Sequence, residues 1–202
     1  MTFAELKTEL EARGFDHLSD TRLGQYINMG RAELDGLELW PYREQSVTGS
    51  SPLAISDLVR VEQVVDADTD RPLFPADYST LLEAYGDNLE TTGSPTWFYV
   101  GTPSGVPTVA TYPVGTGNIE VQYWRRTAEL SDAGDEPACP DEYHLLIVDL
   151  ATCRALRDSD EYGSAEALRA SCERDLERMK RELLLNHQGP GFQRVTFSSE
   201  DW

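Results

Sequence analysis

The chain has 202 residues, 40% of them hydrophobic, with 36 acidic against 17 basic side chains and a net charge of −19. That length can bury a real core, and the spread of Leu, Val, Tyr and Trp excludes a chain disordered throughout. The acidity opposes tight nucleic-acid binding, in which Lys and Arg must neutralise phosphates.

No apolar run approaches the roughly 18 residues of a membrane span. Met1, Thr2, Phe3, Ala4 and Glu5 open the chain without the basic and apolar regions of a signal peptide, so synthesis in a cytoplasm and a soluble product are expected. Only two of the basic residues, Lys7 and Lys180, are lysines. Two readings of the acidity stay open: a surface that must not adhere to DNA, or an acid-rich proteome adapted to high salt. Cys139, Cys153 and Cys172 form no CxxC pair and read as buried thiols of a reducing compartment.

Thr2 and Glu5 form a capping box ahead of Phe3, Leu6 and Leu10, which share one helical face, and Gly14 closes this first helix. Ser19 or Asp20 caps a second helix with Leu23, Tyr26, Ile27 and Leu34 inward and Gly36 at its end. Gly30 lies inside that helix at a cost of up to ~1 kcal/mol relative to Ala, which a close helix–helix crossing would rationalise. Pro41 then stops the helix between Trp40 and Tyr42, two amphipathic anchors. They read either as a helix exit packed on the core or as a subunit contact.

From 45 to 126 the period shifts to two. Residues 45–48 and 53–55 read as a short hairpin around Gly49, Ser50, Ser51 and Pro52. Residues 58–65 make a strand, 66–70 an acidic turn, and 71–74 the returning strand. Asp77 caps a short helix through Leu81, Leu82 and Tyr85, stopped by Gly86, and 87–95 is a polar loop. Residues 97–100, 108–112 and 119–124 are three more strands, whose Gly- and Pro-rich connectors 101–107 and 113–118 fit antiparallel hairpins.

Residues 127–139 read as a polar linker. Pro140 sits at the first position of a helix, with Asp141 and Glu142 favourable against its dipole and Leu145, Val148, Ala151 or Thr152, and Ala155 or Leu156 inward. After an acidic turn at 158–163, Ser164 caps the last helix. Leu168, Cys172, Leu176, Met179 and Leu183 form its apolar stripe, and Glu177 with Arg181 and Arg178 with Glu182 form i,i+4 pairs on its charged side. Phe192, Phe197 and Trp202 punctuate a tail without packing period. Such a tail is either disordered or ordered only by a partner.

The fold class expected is α+β: a helical bundle from residues 1–44 and 138–187, an inserted small antiparallel β-sheet or sandwich at 45–137, and a tail at 188–202. Nothing in it reads as catalytic, cofactor-binding or metal-binding. His17, His144 and His187 lack ligand spacing, with His144 reading as a surface or core-edge residue. Gly115, Thr116 and Gly117 precede a strand, not the helix N-terminus a phosphate cradle needs, and read as a hairpin turn. Asp66, Asp68 and Asp70 have the one-three-five spacing of a calcium loop, but Arg71 stands where that loop needs glycine, so an acidic turn is the better reading. Tyr123, Trp124, Arg125 and Arg126 read as a strand end making ion pairs rather than a base-stacking platform.

The order of parts nevertheless has a counterpart. Leu23-Gly24-Gln25-Tyr26-Ile27-Asn28, then Leu39-Trp40-Pro41-Tyr42-Arg43-Glu44, resembles the N-terminal region of tailed-virus (phage-like) head–tail adaptor, or connector, proteins. Ile119 to Arg126, Leu130, Asp135-Glu136-Pro137 and Pro140-Asp141-Glu142-Tyr143-His144 resemble them as well. The resemblance spans most of the chain and carries no catalytic residues. It implies a structural protein of the virion neck, made in the host cytoplasm. It also implies a ring, commonly of twelve copies, that docks on the portal protein, extends the channel through which double-stranded DNA passes, and receives a tail or neck protein. Partner contacts are expected at Trp40, Tyr42, Arg174, Arg178, Arg181, Phe192, Phe197 and Trp202. The alternatives are a tail-completion protein and, in a different class, a monomeric acidic protein-binding module.

Overall fold

The computed structural model describes residues 1–86 and 89–187, the last three by backbone alone. The chain divides into two compact units, one of Met1–Tyr42 with the chain from Ala128 on, the other of Arg43–Thr127.

The helical unit begins at α1 (Phe3–Leu10). Thr2 Oγ1 accepts from the Glu5 N–H at 3.3 Å while Glu5 Oε2 accepts from the Thr2 N–H at 2.8 Å, so two otherwise orphaned donors are satisfied reciprocally. A single wide turn, Glu11–Phe15, follows, in which Gly14 takes φ +100°, a conformation that penalises any side chain. Ser19 caps α2 (Asp20–Leu37) by accepting from Arg22 N–H. This helix runs one residue past Gly36, the expected stop.

After a 3₁₀ turn at Asp141–Tyr143, α4 (His144–Asp158) crosses α2 at Gly30. The last helix, α5 (Tyr162–His187), starts two residues before the expected Ser164 cap. Its stripe is inward as expected: Cys172, Leu176 and Met179 are buried, and Leu168 and Leu183 pack against the same core. Residues from α1, α2, α4 and α5 thus share one apolar core, joined by Trp40, Leu130, Cys139 and Tyr143. Each fully buried large side chain there contributes roughly 1.5–3 kcal/mol.

The face of α4 differs from the expected one in its first turn; Val148, Ala151, Thr152 and Ala155 are buried as expected. Leu145 is exposed, and His144 is fully buried, with Nδ1 2.7 Å from the Met1 amine and Nε2 3.0 Å from Cys139 O. Pro140 precedes the 3₁₀ turn instead of opening the α-helix. Leu146, Ile147 and Leu150 take the inward positions alongside Val148 and Ala151.

Residues 128–139 have no periodicity because they are tied down residue by residue. Phe3 and Ala4 N–H donate to Asp135 O and Ala133 O at 2.7 and 3.1 Å. Asn28 closes a reciprocal pair with the Leu130 backbone: Nδ2 donates to its carbonyl and Oδ1 accepts from its N–H, both at 2.9 Å. Asp135 accepts the N–H groups of Ser131 and Asp132, which holds its carboxyl below the usual range.

The β unit contains two four-stranded sheets. One has the order β1 (Glu44–Ser50), β8 (Asn118–Arg125), β3 (Leu58–Asp66), β4 (Arg71–Pro72). The other has the order β2 (Leu53–Ala54), β7 (Thr108–Tyr112), β6 (Trp97–Gly101), β5 (Phe74–Pro75), with β5 and β6 parallel. Ile55, Val64, Phe98, Val109, Ile119 and Val121 from both sheets meet in one core. The short helix α3 is Tyr78–Tyr85, with Gly86 at φ +67° ending it; Asp77 stands at its N-cap without bonding the helix through its side chain.

Two expected hairpins are replaced by crossings between sheets. Residues 45–55 do not pair with themselves, because β1 pairs β8 and β2 pairs β7. Residues 113–118, including Gly115, Thr116 and Gly117, carry the chain from β7 in one sheet to β8 in the other. Turn-rich composition reports that the chain changes direction, not which strand it meets next. The 101–107 connector does close a hairpin, β6 with β7.

Candidate interaction surfaces

The runs that carried the family resemblance are built into the interior. Leu23, Tyr26 and Ile27 are core residues, while Asn28 holds Leu130. Trp40 is fully buried, its indole N–H donating to Leu34 O at 2.7 Å, so in this fold it leaves no surface for a partner contact. Tyr42 stacks on it at 6.3 Å between ring centroids and donates to Asp35 Oδ1 at 2.8 Å. Of the two anchors only Tyr42, half-buried, reaches the surface.

The later runs behave alike. Tyr143 is buried and its hydroxyl donates to the Glu182 carboxylate on α5; burial and then this carboxylate push the phenol well above its ordinary range. Tyr123 donates to Asp57 at 3.1 Å and the Trp124 indole to Glu62 at 3.2 Å, so both aromatics of the strand end are satisfied within their own unit. Asp66 is buried and accepts from the Asp68 N–H at 3.1 Å and the Thr69 hydroxyl at 2.8 Å. Its oxygens therefore serve the turn that the acidic spacing marks.

The outer face of α5 is different. Arg174, Arg178 and Arg181 lie at i, i+4 and i+7 and are exposed. Arg178 is 3.8 Å from Asp175 and 3.9 Å from Glu182. Arg181 donates to the backbone oxygen of Glu177 rather than to the expected carboxylate, which instead meets Lys180 at 3.5 Å. Among the described residues Arg174 reaches only the Ser171 hydroxyl, at 3.5 Å. These are long contacts in high dielectric, worth little to the fold. Phe192, Phe197 and Trp202 lie outside the described residues.

Elsewhere in the helical unit several cations are engaged across helices. Glu33 on α2 receives Arg154 of α4 at 2.6 and 2.9 Å and Arg169 of α5, so one carboxylate ties three helices. Burial alone would raise the Glu33 carboxyl, but the two guanidiniums together hold it below the usual range. Arg22 and the Tyr26 hydroxyl both reach Asp158, each at 2.7 Å, and Lys7 reaches Asp20 at 2.6 Å. Nothing local marks the Glu33 junction in the sequence, since its arginines are 121 and 136 residues away. A groove of about 670 Å³ runs over α2 between Phe3, Lys7, Met29 and Leu130. Of the exposed α2 residues along it, Asp20 and Arg22 are charged, while Thr21, Gln25, Met29 and Ala32 are not.

Among the described residues no group of three or more His, Cys, Asp or Glu is placed to hold a metal ion, and no helix is long and apolar enough to cross a membrane. No curated protein matches the chain in sequence. The family model described as SU10 adaptor protein matches residues 1–195, nearly the whole chain. The chain therefore belongs to the SU10 adaptor protein family and is a phage adaptor protein.

Proposed function

We propose that the protein forms the head-to-tail adaptor ring of a tailed phage, of twelve copies, docked on the portal protein and joining it to a tail or neck protein. The adaptor family supports a structural role in the virion neck, with portal and tail as the general class of partner. The observation that carries the ring is the arginine stripe of α5. In a chain of net charge −19, Arg174, Arg178 and Arg181 stand together and exposed; among the described residues Arg178 has carboxylates at 3.8 and 3.9 Å, Arg174 a hydroxyl at 3.5 Å and Arg181 a backbone oxygen, whereas Arg22, Arg154 and Arg169 each hold a carboxylate at 2.7 Å or closer. An acidic neighbour is the complement such a stripe selects. Tyr42, at the surface end of its stack, and the aromatic tail with Phe192, Phe197 and Trp202 are proposed as further contacts to ring neighbours or portal. The acidic exterior would let DNA pass a channel without adhering, since like charge removes the phosphate attraction.

The test is the mass and symmetry of the full chain, alone and mixed with the portal protein of the same phage. Native mass spectrometry and electron microscopy should give a closed ring on the portal. The triple charge reversal R174E/R178E/R181E should leave a folded monomer that no longer assembles. A wild-type chain that stays monomeric with portal present, and is missing from purified particles, would return the reading to a monomeric binding module.

A further inference from the structure

The β unit carries a second surface of different chemistry. On β6 the side chains alternate: Phe98 points into the core between the sheets, so Trp97 and Tyr99 stand on the opposite face, with Tyr112 across from Trp97 on β7. Three rings lie against that face. Phe74 of β5 meets Trp97 at 5.7 Å between centroids, Tyr78 of α3 meets Tyr99 at 5.2 Å, and Tyr85 of α3 meets Tyr112 at 4.6 Å. All three pairs are tilted. The outer partners remain 53%, 50% and 49% exposed, so about half of each ring still faces solvent. Leu81 is the residue of α3 that is fully covered. An eight-residue helix seated chiefly through half-exposed aromatics is costly unless something else uses the rings.

The elements that carry these rings hold charge of one sign. Between Arg71 and Arg125 the sequence contains no Lys, Arg or His. This stretch includes β5, α3, β6 and β7, which build the aromatic face. Asp77 and Glu83, next to Tyr78 and two residues before Tyr85, are exposed carboxylates. Electron-rich ring faces beside carboxylates, with no competing cation on these elements, attract a guanidinium or ammonium group twice over: through the ring quadrupole and through net charge.

We propose that the face formed by Phe74, Tyr78, Tyr85, Trp97 and Tyr99 is a docking site for an arginine-bearing segment of a partner protein. The site lies within the β unit, and the proposal does not depend on ring formation or on α5.

The test uses the full chain and a blocked peptide of five arginines spaced by glycine, at 0.15 M salt, read by calorimetry and by the tyrosine ring signals in NMR. The expected result is one peptide per chain and loss of binding by about tenfold or more in F74L/Y78L/Y85L, which keeps apolar bulk and charge but removes the π faces. The variant Y78F/Y85F keeps the rings and should bind like wild type. Equal binding by the leucine variant would mean that acidity alone holds the peptide, and the proposal fails. It fails equally if the peptide does not bind, or if the wild type dimerises through this face and the leucine variant does not. Should the leucine variant unfold, a spin-labelled peptide on wild type decides: broadening of the Tyr78 and Tyr85 rings supports the site, and broadening centred on other residues overturns it.

Discussion

Gly30 of α2 faces the backbone of α4 so closely that a methyl group there would stand 2.5 Å from the carbonyl oxygen of Ile147 and 2.9 Å from the amide nitrogen of Ala151. Two effects compete in Gly30→Ala. Alanine favours a helix interior by ~1 kcal/mol. Driving a methyl into a backbone that cannot yield costs about 1–3 kcal/mol or more. The neighbour is main chain rather than a flexible side-chain end, so the clash should win and the variant should be less stable in urea denaturation. A Gly30→Ala protein as stable as wild type, or more so, would show that the helices are not in this contact.

Asn28 should behave as a hinge pin for residues 128–135. Asn28→Ala leaves the Leu130 N–H and C=O without their partner, at a cost of about 2–3 kcal/mol for two lost hydrogen bonds in a half-buried place. Asn28→Asp keeps the acceptor for the Leu130 N–H and loses the donor to its carbonyl, and should also be destabilised. Thermal melting of the pair against wild type checks this; unchanged melting of the alanine variant contradicts it.

Elements with their own period and caps were legible from sequence. Thr2 with Glu5, Gly14, Ser19 and the stripe from Leu168 to Leu183 lie where helical spacing puts them, since each rests on contacts three or four residues apart. On α4 the expected Val148, Ala151 and Ala155 are buried, and only the first turn was misread: His144 lies inward and Leu145 out, just after the 3₁₀ turn at Asp141–Tyr143. The β pairing was misread because β1 meets β8 and β2 meets β7, partners chosen by burial across the whole unit rather than by the turn between them. The surfaces were harder still. Trp40 has the composition of an anchor but sits wholly in the core, and the α5 arginines stand out only once Arg154 and Arg169 are seen to hold Glu33.

The Glu33 junction gives the stability a defined pH dependence. The folded carboxyl is held below its unfolded value, so the stabilisation is full above the unfolded pKa of ~4.3 and is lost as pH falls through the folded value. Glu33→Gln removes the charge and should cost about 1–3 kcal/mol at neutral pH, because two partly buried arginines lose their counter-charge. The gap between wild type and variant should narrow steadily below pH 4. Denaturation at several pH values measures it, and a constant gap from pH 7 to pH 3 would exclude this linkage.

The three thiols should be silent in the native protein. Cys139 and Cys172 are pushed up to about 12 by burial, and Cys153 is raised by the same cause. Thiolate is the reactive form, so a thiol reagent at pH 8 should label none of them until denaturant is added. Rapid labelling of any one in buffer would mean that its helix opens on that timescale.

The register of the first and last strands of the β unit has a consequence for how such a chain can change over time. Glu44, the first residue of β1, lies directly across from Trp124 near the end of β8. Partners in an antiparallel ladder stand only about 4.5–5.5 Å apart. The β unit thus opens and closes at one doorway, although its sequence is long. A few residues could bridge that gap, so the segment from Arg43 to Thr127 has the geometry of an exchangeable cassette. Relatives could lengthen it, replace it or delete it while the helical scaffold and its connections keep their spacing.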